Sequence, residues 1–133
     1  MKTIAATIGI DKYITIISSA QHTIFSDEPI NDGGEDKGMS PEEILAASLG
    51  ACTCITLRMY ADRKGWRLRQ IETTVAIDRN KDAKRTTMSR KIKLDGELEQ
   101  EQINRLMLIA NKCPIHEILV NPIEVDTELV TVQ

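Results

Sequence analysis

Residues 40–66 read SPEEILAASLGACTCITLRMYADRKGW, and the stretch contains the signals for both ends of one long helix. Ser40 stands as N-cap, Pro41 takes the first helical position, and Glu43, three residues after the serine, completes a capping box. Glu42 and Glu43 suit the positive end of the helix dipole, and Arg63 and Lys64 suit the negative one. Gly65 is the expected C′ residue, where a left-handed backbone costs glycine little. From Ile44 to Ala61 most positions are apolar or small all the way round, which predicts a central helix buried on several faces. Cys52 and Cys54 lie in its middle.

Working outward, KTIAATIGI and YITIIS are β-branched runs separated by Asp11 and Lys12, which predicts a hairpin, and HTIFS at 22–26 a third strand. The segment DEPINDGGEDKGMS, 27–40, is rich in Gly, Asp, Asn and Pro and reads as an exposed loop, long enough for a role beyond connection. Downstream, LRQIETTVAIDRN and TTMSRKIKLDGEL alternate apolar and polar residues across a charged KDAKR link, the pattern of an antiparallel hairpin. In EQEQINRLMLIANKC, apolar residues at 103, 106, 107, 110 and 113 keep a helical period, and Pro114 ends the helix. PIHEIL predicts a further short helix, and IEVDTELVTV a closing strand. Met59, Met88 and Met107 read as core fillers. With no βαβ alternation and no repeat, this order predicts an α+β fold with an antiparallel sheet.

The 133 residues match a single domain, 1–133, and 41% hydrophobic with 3% aromatic residues means an aliphatic core. A net charge of −3, with lysines and arginines dispersed along the chain, argues against a nucleic-acid partner. The first residues lack an apolar h-region and a cleavage site, so no export signal is expected and the cytoplasm is the expected location. The longest uncharged stretch after that, 44–57, falls short of the ~20 residues of a membrane span, so no membrane association is expected. In a reducing cytosol, three cysteines are reactive or packed rather than a disulfide framework.

Cys52 and Cys54 form a C-x-C pair, but residues two apart lie about 200° apart around a helix, so their sulfurs point to nearly opposite faces. They read as two separate thiols. The only histidines are His22 and His116, and no second cluster has zinc-ligand spacing, so neither metal nor cofactor is expected. Cys113 differs, because it stands where one helix ends and the next begins. As cap of the helix opened by Pro114 it would meet free N–H groups that favour a thiolate. Against that, a cysteine on an apolar helix face is most often a small hydrophobe. His116 is a candidate base beside it, although an exposed or capping histidine is commoner.

The segments SPEEILAASLGAC and ANKCPIHEIL, with the helix running on through RKGW, resemble the OsmC/Ohr family of thiol-dependent hydroperoxide reductases. The order of strands and helices over nearly the whole chain is similar too. The resemblance implies an α+β fold with a long buried central helix in an intertwined homodimer. It implies a cytoplasmic peroxidase that reduces organic hydroperoxides, with Cys52 as peroxidatic cysteine, Cys113 as resolving cysteine and Glu42 as the family's glutamate. An external dithiol, lipoyl-type or other, would reopen the Cys52–Cys113 disulfide. Cys54 has no counterpart in that scheme and reads as packing. Glu42 precedes Cys52 by ten residues, about 15 Å of helical rise, so the resemblance implies that it serves a partner subunit's thiol. The better-known peroxidases carry an arginine in the N-terminal strands that pairs with the glutamate, whereas this chain has none before Arg58. Lys12 is the nearest substitute, with Arg58 and Arg105 as candidates on the helices. The rival readings are a non-catalytic binding module using an apolar pocket at the dimer interface, and a thiol sensor.

Overall fold

A computed structural model describes residues 1–133. The elements run β1 (Ala5–Ile8), β2 (Thr15–Ser18), β3 (Thr23–Ser26), a 3-10 turn (Ile30–Asp32), α1 (Pro41–Lys64), β4 (Arg67–Asn80), β5 (Arg85–Glu97), α2 (Gln100–Ala110) and α3 (Pro114–Leu119). This is the expected α+β architecture with antiparallel sheets and a long helix. Two compact units form, one from residues 1–48 and 75–89, the other from 49–74 and 90–133.

In the first unit β1, β2 and β3 make a three-stranded antiparallel sheet, with Ala5 opposite Ser18 and Ser18 opposite Thr23. The loop that follows is organised around one side chain. Asp27 is only 2% exposed, and its carboxylate accepts backbone N–H groups from Tyr13 at 3.1 Å, Glu28 at 2.7 Å, Glu35 at 3.3 Å and Lys37 at 3.1 Å. Burial raises its pKa, but these four donors outweigh burial and hold it below the ordinary carboxylate value. Gly34 is required here, since a Cβ at that position would run into the Glu28 carbonyl and the Asp27 carboxylate.

Both ends of α1 form as their residues dictate. The Ser40 N–H donates to Glu43 Oε1 at 3.0 Å, and the Glu43 N–H to Ser40 Oγ at 3.3 Å. At the other end Gly65 adopts φ 70°, Trp66 N–H reaches Ala61 O at 3.0 Å, and Gly65 N–H reaches Asp62 O at 3.1 Å, a Schellman closure. Within one chain the helix is covered along a single stripe, Ala46, Leu49, Thr53, Leu57, Tyr60 and Ala61. Leu45, Ile55 and Met59 on other faces are exposed, so the expected burial on several faces is not reached by this chain alone. By length and composition α1 could cross a membrane, although the uncharged stretch alone is too short; its buried stripe instead packs in protein, as a core helix does.

The second unit holds the main core. Leu57, Tyr60 and Ala61 of α1 cluster with Leu68 of β4 and with Leu106, Ile109 and Ala110 of α2, and Trp66 packs its edge against Tyr60 at 5.5 Å. The buried face of α2 is therefore 106, 109 and 110, continued by Cys113, rather than the set that included 103 and 107. Met59 and Met107 are exposed and Met88 is only half-buried, which corrects their reading as core fillers. Each of the exposed pair lies on a helix whose neighbours, Leu57 and Leu106, take the core position, and one or two residues turn a helix by about 100° or 200°. The closing strand does not form: residues 121–133 pair with no strand, and Val125, Leu129, Val130 and Val132 are exposed. Alternation makes a segment suited to a sheet, but a strand exists only where an edge receives its N–H and C=O groups.

Candidate functional site

The second unit brings together two of the expected site residues. Cys52 lies in the middle of α1 and is half-buried, while Cys113 is fully buried and is the N-cap of α3. The two thiols are close enough that each acts on the titration of the other. Cys113 is positioned by its own backbone, whose N–H reaches Ala110 O at 3.4 Å and whose C=O accepts from Glu117 N–H at 3.1 Å. Its sulfur accepts the His116 N–H at 3.3 Å. His116 thus serves through its backbone, as the N-cap geometry of Pro114 at N1 dictates.

The two thiols titrate in opposite directions. For Cys52, burial raises the pKa, but the Ile115 N–H, the Cys113 thiol, the Thr56 hydroxyl and the positive charge of Arg90 together hold it below the ordinary thiol value. For Cys113, burial dominates and raises the pKa, the nearby Cys52 raises it further, and the His116 N–H only partly offsets them. The expectation that the helix end would favour a Cys113 thiolate is therefore reversed. The start of α3 offers one N–H to each sulfur, and the half-exposed Cys52 gains the balance because it also faces Arg90 and is less desolvated.

Cys54 points elsewhere, as helix geometry requires. Its Sγ donates to Thr73 Oγ1 at 3.3 Å and to Ile71 O at 3.7 Å, both on β4. That is the hydrogen bonding of a packed thiol.

Neither helix arginine considered from sequence is bonded to a thiol. Arg58 donates to the backbone carbonyls of Leu68 and Arg69, and Arg105 donates to the Tyr60 hydroxyl at 3.0 Å. The cation beside Cys52 is Arg90 of β5, a residue that sequence reasoning passed over although the strand's alternation carries the signal: it shares the inward register of Met88, Ile92 and Leu94. In the first unit, Glu42 pairs with Arg79 of β4, Nη1 to Oε1 at 2.8 Å, and not with Lys12. Both side chains are about half exposed, so the pair fixes geometry more than it stabilises the fold.

The sequence profile described as OsmC-like protein matches residues 34–128, a span that includes Glu42, Cys52 and Cys113. The chain belongs to the OsmC-like family. A search of the curated proteins finds no significant match. Among solved structures, this OsmC-like chain is similar to an OsmC-like protein from Mycoplasma pneumoniae (20% identity, 90% of this chain and 87% of that one, TM-score 0.78). It is also similar to an organic hydroperoxide resistance protein OsmC from Legionella pneumophila (19% identity, 90% and 88% covered, TM-score 0.65). A third is the organic hydroperoxide resistance protein OhrB of Bacillus subtilis (19% identity, 89% of each chain, TM-score 0.60). At these identities the likeness establishes the fold.

Proposed function

We propose that this OsmC-like chain is a cytoplasmic two-cysteine peroxidase for organic hydroperoxides. The observation that supports the reading most directly is the thiol pair itself, a half-exposed Cys52 held below the ordinary thiol value beside a buried Cys113 pushed above it. The Cys52 thiolate attacks the distal peroxide oxygen, the O–O bond breaks, and the alkoxide takes a proton to leave as alcohol. Cys52 is then a sulfenic acid. The Cys113 sulfur attacks that sulfur, water leaves, and a Cys52–Cys113 disulfide remains. Two electrons from an external dithiol, lipoyl-type or other, restore both thiols by exchange. No cofactor or metal takes part. Glu42, held by Arg79, is assigned the role of orienting acid, delivered across a homodimer.

The opposed pKa shifts suit this division of labour, since the attacking sulfur needs to be anionic and the resolving sulfur must wait without being oxidised. The rate of Cys52 oxidation is expected to follow its thiolate fraction and to level off below the pH of an ordinary thiol, about 8.5. The test is the intact mass of the reduced protein after one equivalent of cumene hydroperoxide, with peptide mapping. Loss of two hydrogens located at Cys52 and Cys113, absent from the Cys52→Ser and Cys113→Ser proteins, is the expected result. Slow oxidation spread over all three cysteines would sink the reading.

A further inference from the structure

Arg90 touches both segments that carry the thiols, at positions next to or bonded with the cysteines themselves. Its Nη1 donates to Thr53 Oγ1 at 3.0 Å and to Ala110 O at 3.2 Å, and its Nη2 donates to Asn111 Oδ1 at 2.8 Å. Thr53 follows Cys52 directly, is fully buried, and spends its hydroxyl proton on Leu49 O at 2.7 Å, so its oxygen is left to accept from the guanidinium. Ala110 ends α2, and its carbonyl is the same one that accepts the Cys113 N–H. One planar fork therefore joins the residue after one cysteine to the carbonyl that positions the other. A lysine has no such fork.

Charge balance adds a second observation. Arg58, Arg67, Arg69 and Arg79 each face a carboxylate, whereas the three acceptors of Arg90 are all neutral. Its positive charge is not cancelled by an acid, and it lies at the end of a helix, where a cation is favoured. The groups that act on Cys52 come from three elements: Arg90 from β5, Cys113 and the Ile115 N–H from α3 and its cap, and the Thr56 hydroxyl from its own helix.

We infer that Arg90 is the positioning residue of the two-thiol site, fastening the cysteine-bearing stretch of α1 to the end of α2 and supplying the uncompensated positive charge beside Cys52. Its catalytic consequence rests on the peroxidase reading. Its effect on the thiols does not, and the experiment uses that separation.

The full-length reduced protein is alkylated with iodoacetamide across a pH series, and the modification of Cys52 is followed by peptide mass mapping. The midpoint is expected to move up in Arg90→Gln, with a several-fold slower reaction at neutral pH, and to be partly restored in Arg90→Lys. Asn111→Asp, at an exposed position, sets a carboxylate against Nη2 and is expected to raise the midpoint without removing the arginine. If Arg90→Gln fails to fold, Asn111→Asp decides alone. Diamide, which takes two electrons from a thiol pair, is expected to give less Cys52–Cys113 disulfide in Arg90→Gln than in the parent protein. A wild-type midpoint in folded Arg90→Gln or in Asn111→Asp overturns the inference, and so does a folded Arg90→Lys with no restoration. None of these readouts uses a hydroperoxide. A chain that shows them but turns over no peroxide loses the proposed function and keeps the role of Arg90.

Discussion

Asp27 and Cys52 are both acids whose anionic form is favoured by backbone N–H groups, and the two units put them to opposite use. Asp27 receives four such groups, is 2% exposed, and has its acceptor sites filled by the loop it organises. Nothing else can approach it. Cys52 is favoured as an anion by one backbone N–H and by a neighbouring thiol, and stays half-exposed with a cation nearby that no carboxylate pairs. An anion that is fully satisfied and closed holds structure, and one that is favoured but left open is available for chemistry. The same physics, differing in access and in number of donors, separates a loop anchor from a nucleophile.

The comparison breaks most completely at the sulfur. Cys52→Ser is expected to lower hydroperoxide consumption to the uncatalysed rate while the far-UV spectrum stays unchanged, and consumption at the parent rate would remove Cys52 from the site. Cys113→Ser comes next. It should consume one equivalent and stop, leaving a Cys52 sulfenic acid that dimedone traps, whereas continued turnover without Cys113 would show another route of resolution.

At Asp27 the expected effect is on structure. Asp27→Asn replaces one oxygen by an NH2 group, so either the Tyr13 and Glu28 pair or the Glu35 and Lys37 pair of N–H groups loses its acceptor. Amide exchange in residues 27–40 should accelerate with no change in the Cys52 alkylation midpoint. Acid makes the same cut. Because the folded pKa lies below the unfolded one, the stabilisation is fully present above the ordinary carboxylate value, about 3.9, and is lost as pH falls through the folded value. Loop amides equally protected on both sides of that range would show that the carboxylate is not what holds the loop.

The frame of this fold was legible because its signals are local. The capping box at Ser40 and Glu43, the αL glycine at 65 and the Pro114 break need only a few residues each, and all three form as read. The face of α2, the exposure of Met59 and Met107, and the unpaired segment 121–133 were not legible, because each depends on which other element supplies a surface. The cysteines were legible as residue types in a familiar pattern. Their polarity came only from the resemblance, since residue chemistry alone favoured a thiolate at the capping Cys113 and burial raises that thiol instead. Arg90 was the least visible of all. Its register with Met88, Ile92 and Leu94 marks it as an arginine on the inward face, but only the approach of Thr53, Ala110 and Asn111, up to 37 residues away in sequence, gives it a function.

The smallest effect is expected at Cys54, and it tests the geometry that separates the C-x-C pair. If the two sulfurs act independently, Cys54→Ser keeps a donor toward Thr73 Oγ1 and Ile71 O, costs about 1 kcal/mol or less in a denaturant melt, and leaves both the Cys52 alkylation profile and the disulfide mass unchanged. Helix geometry gives the reason, for a rotation of about 200° turns one sulfur toward the start of α3 and the other toward β4. A slower alkylation of Cys52 in this variant, or a mixed disulfide that includes Cys54, would mean that α1 opens enough for neighbouring thiols to exchange. The closed sulfur would then share the work of the open one, and the distinction drawn between Asp27 and Cys52 would have to rest on motion as well as on access.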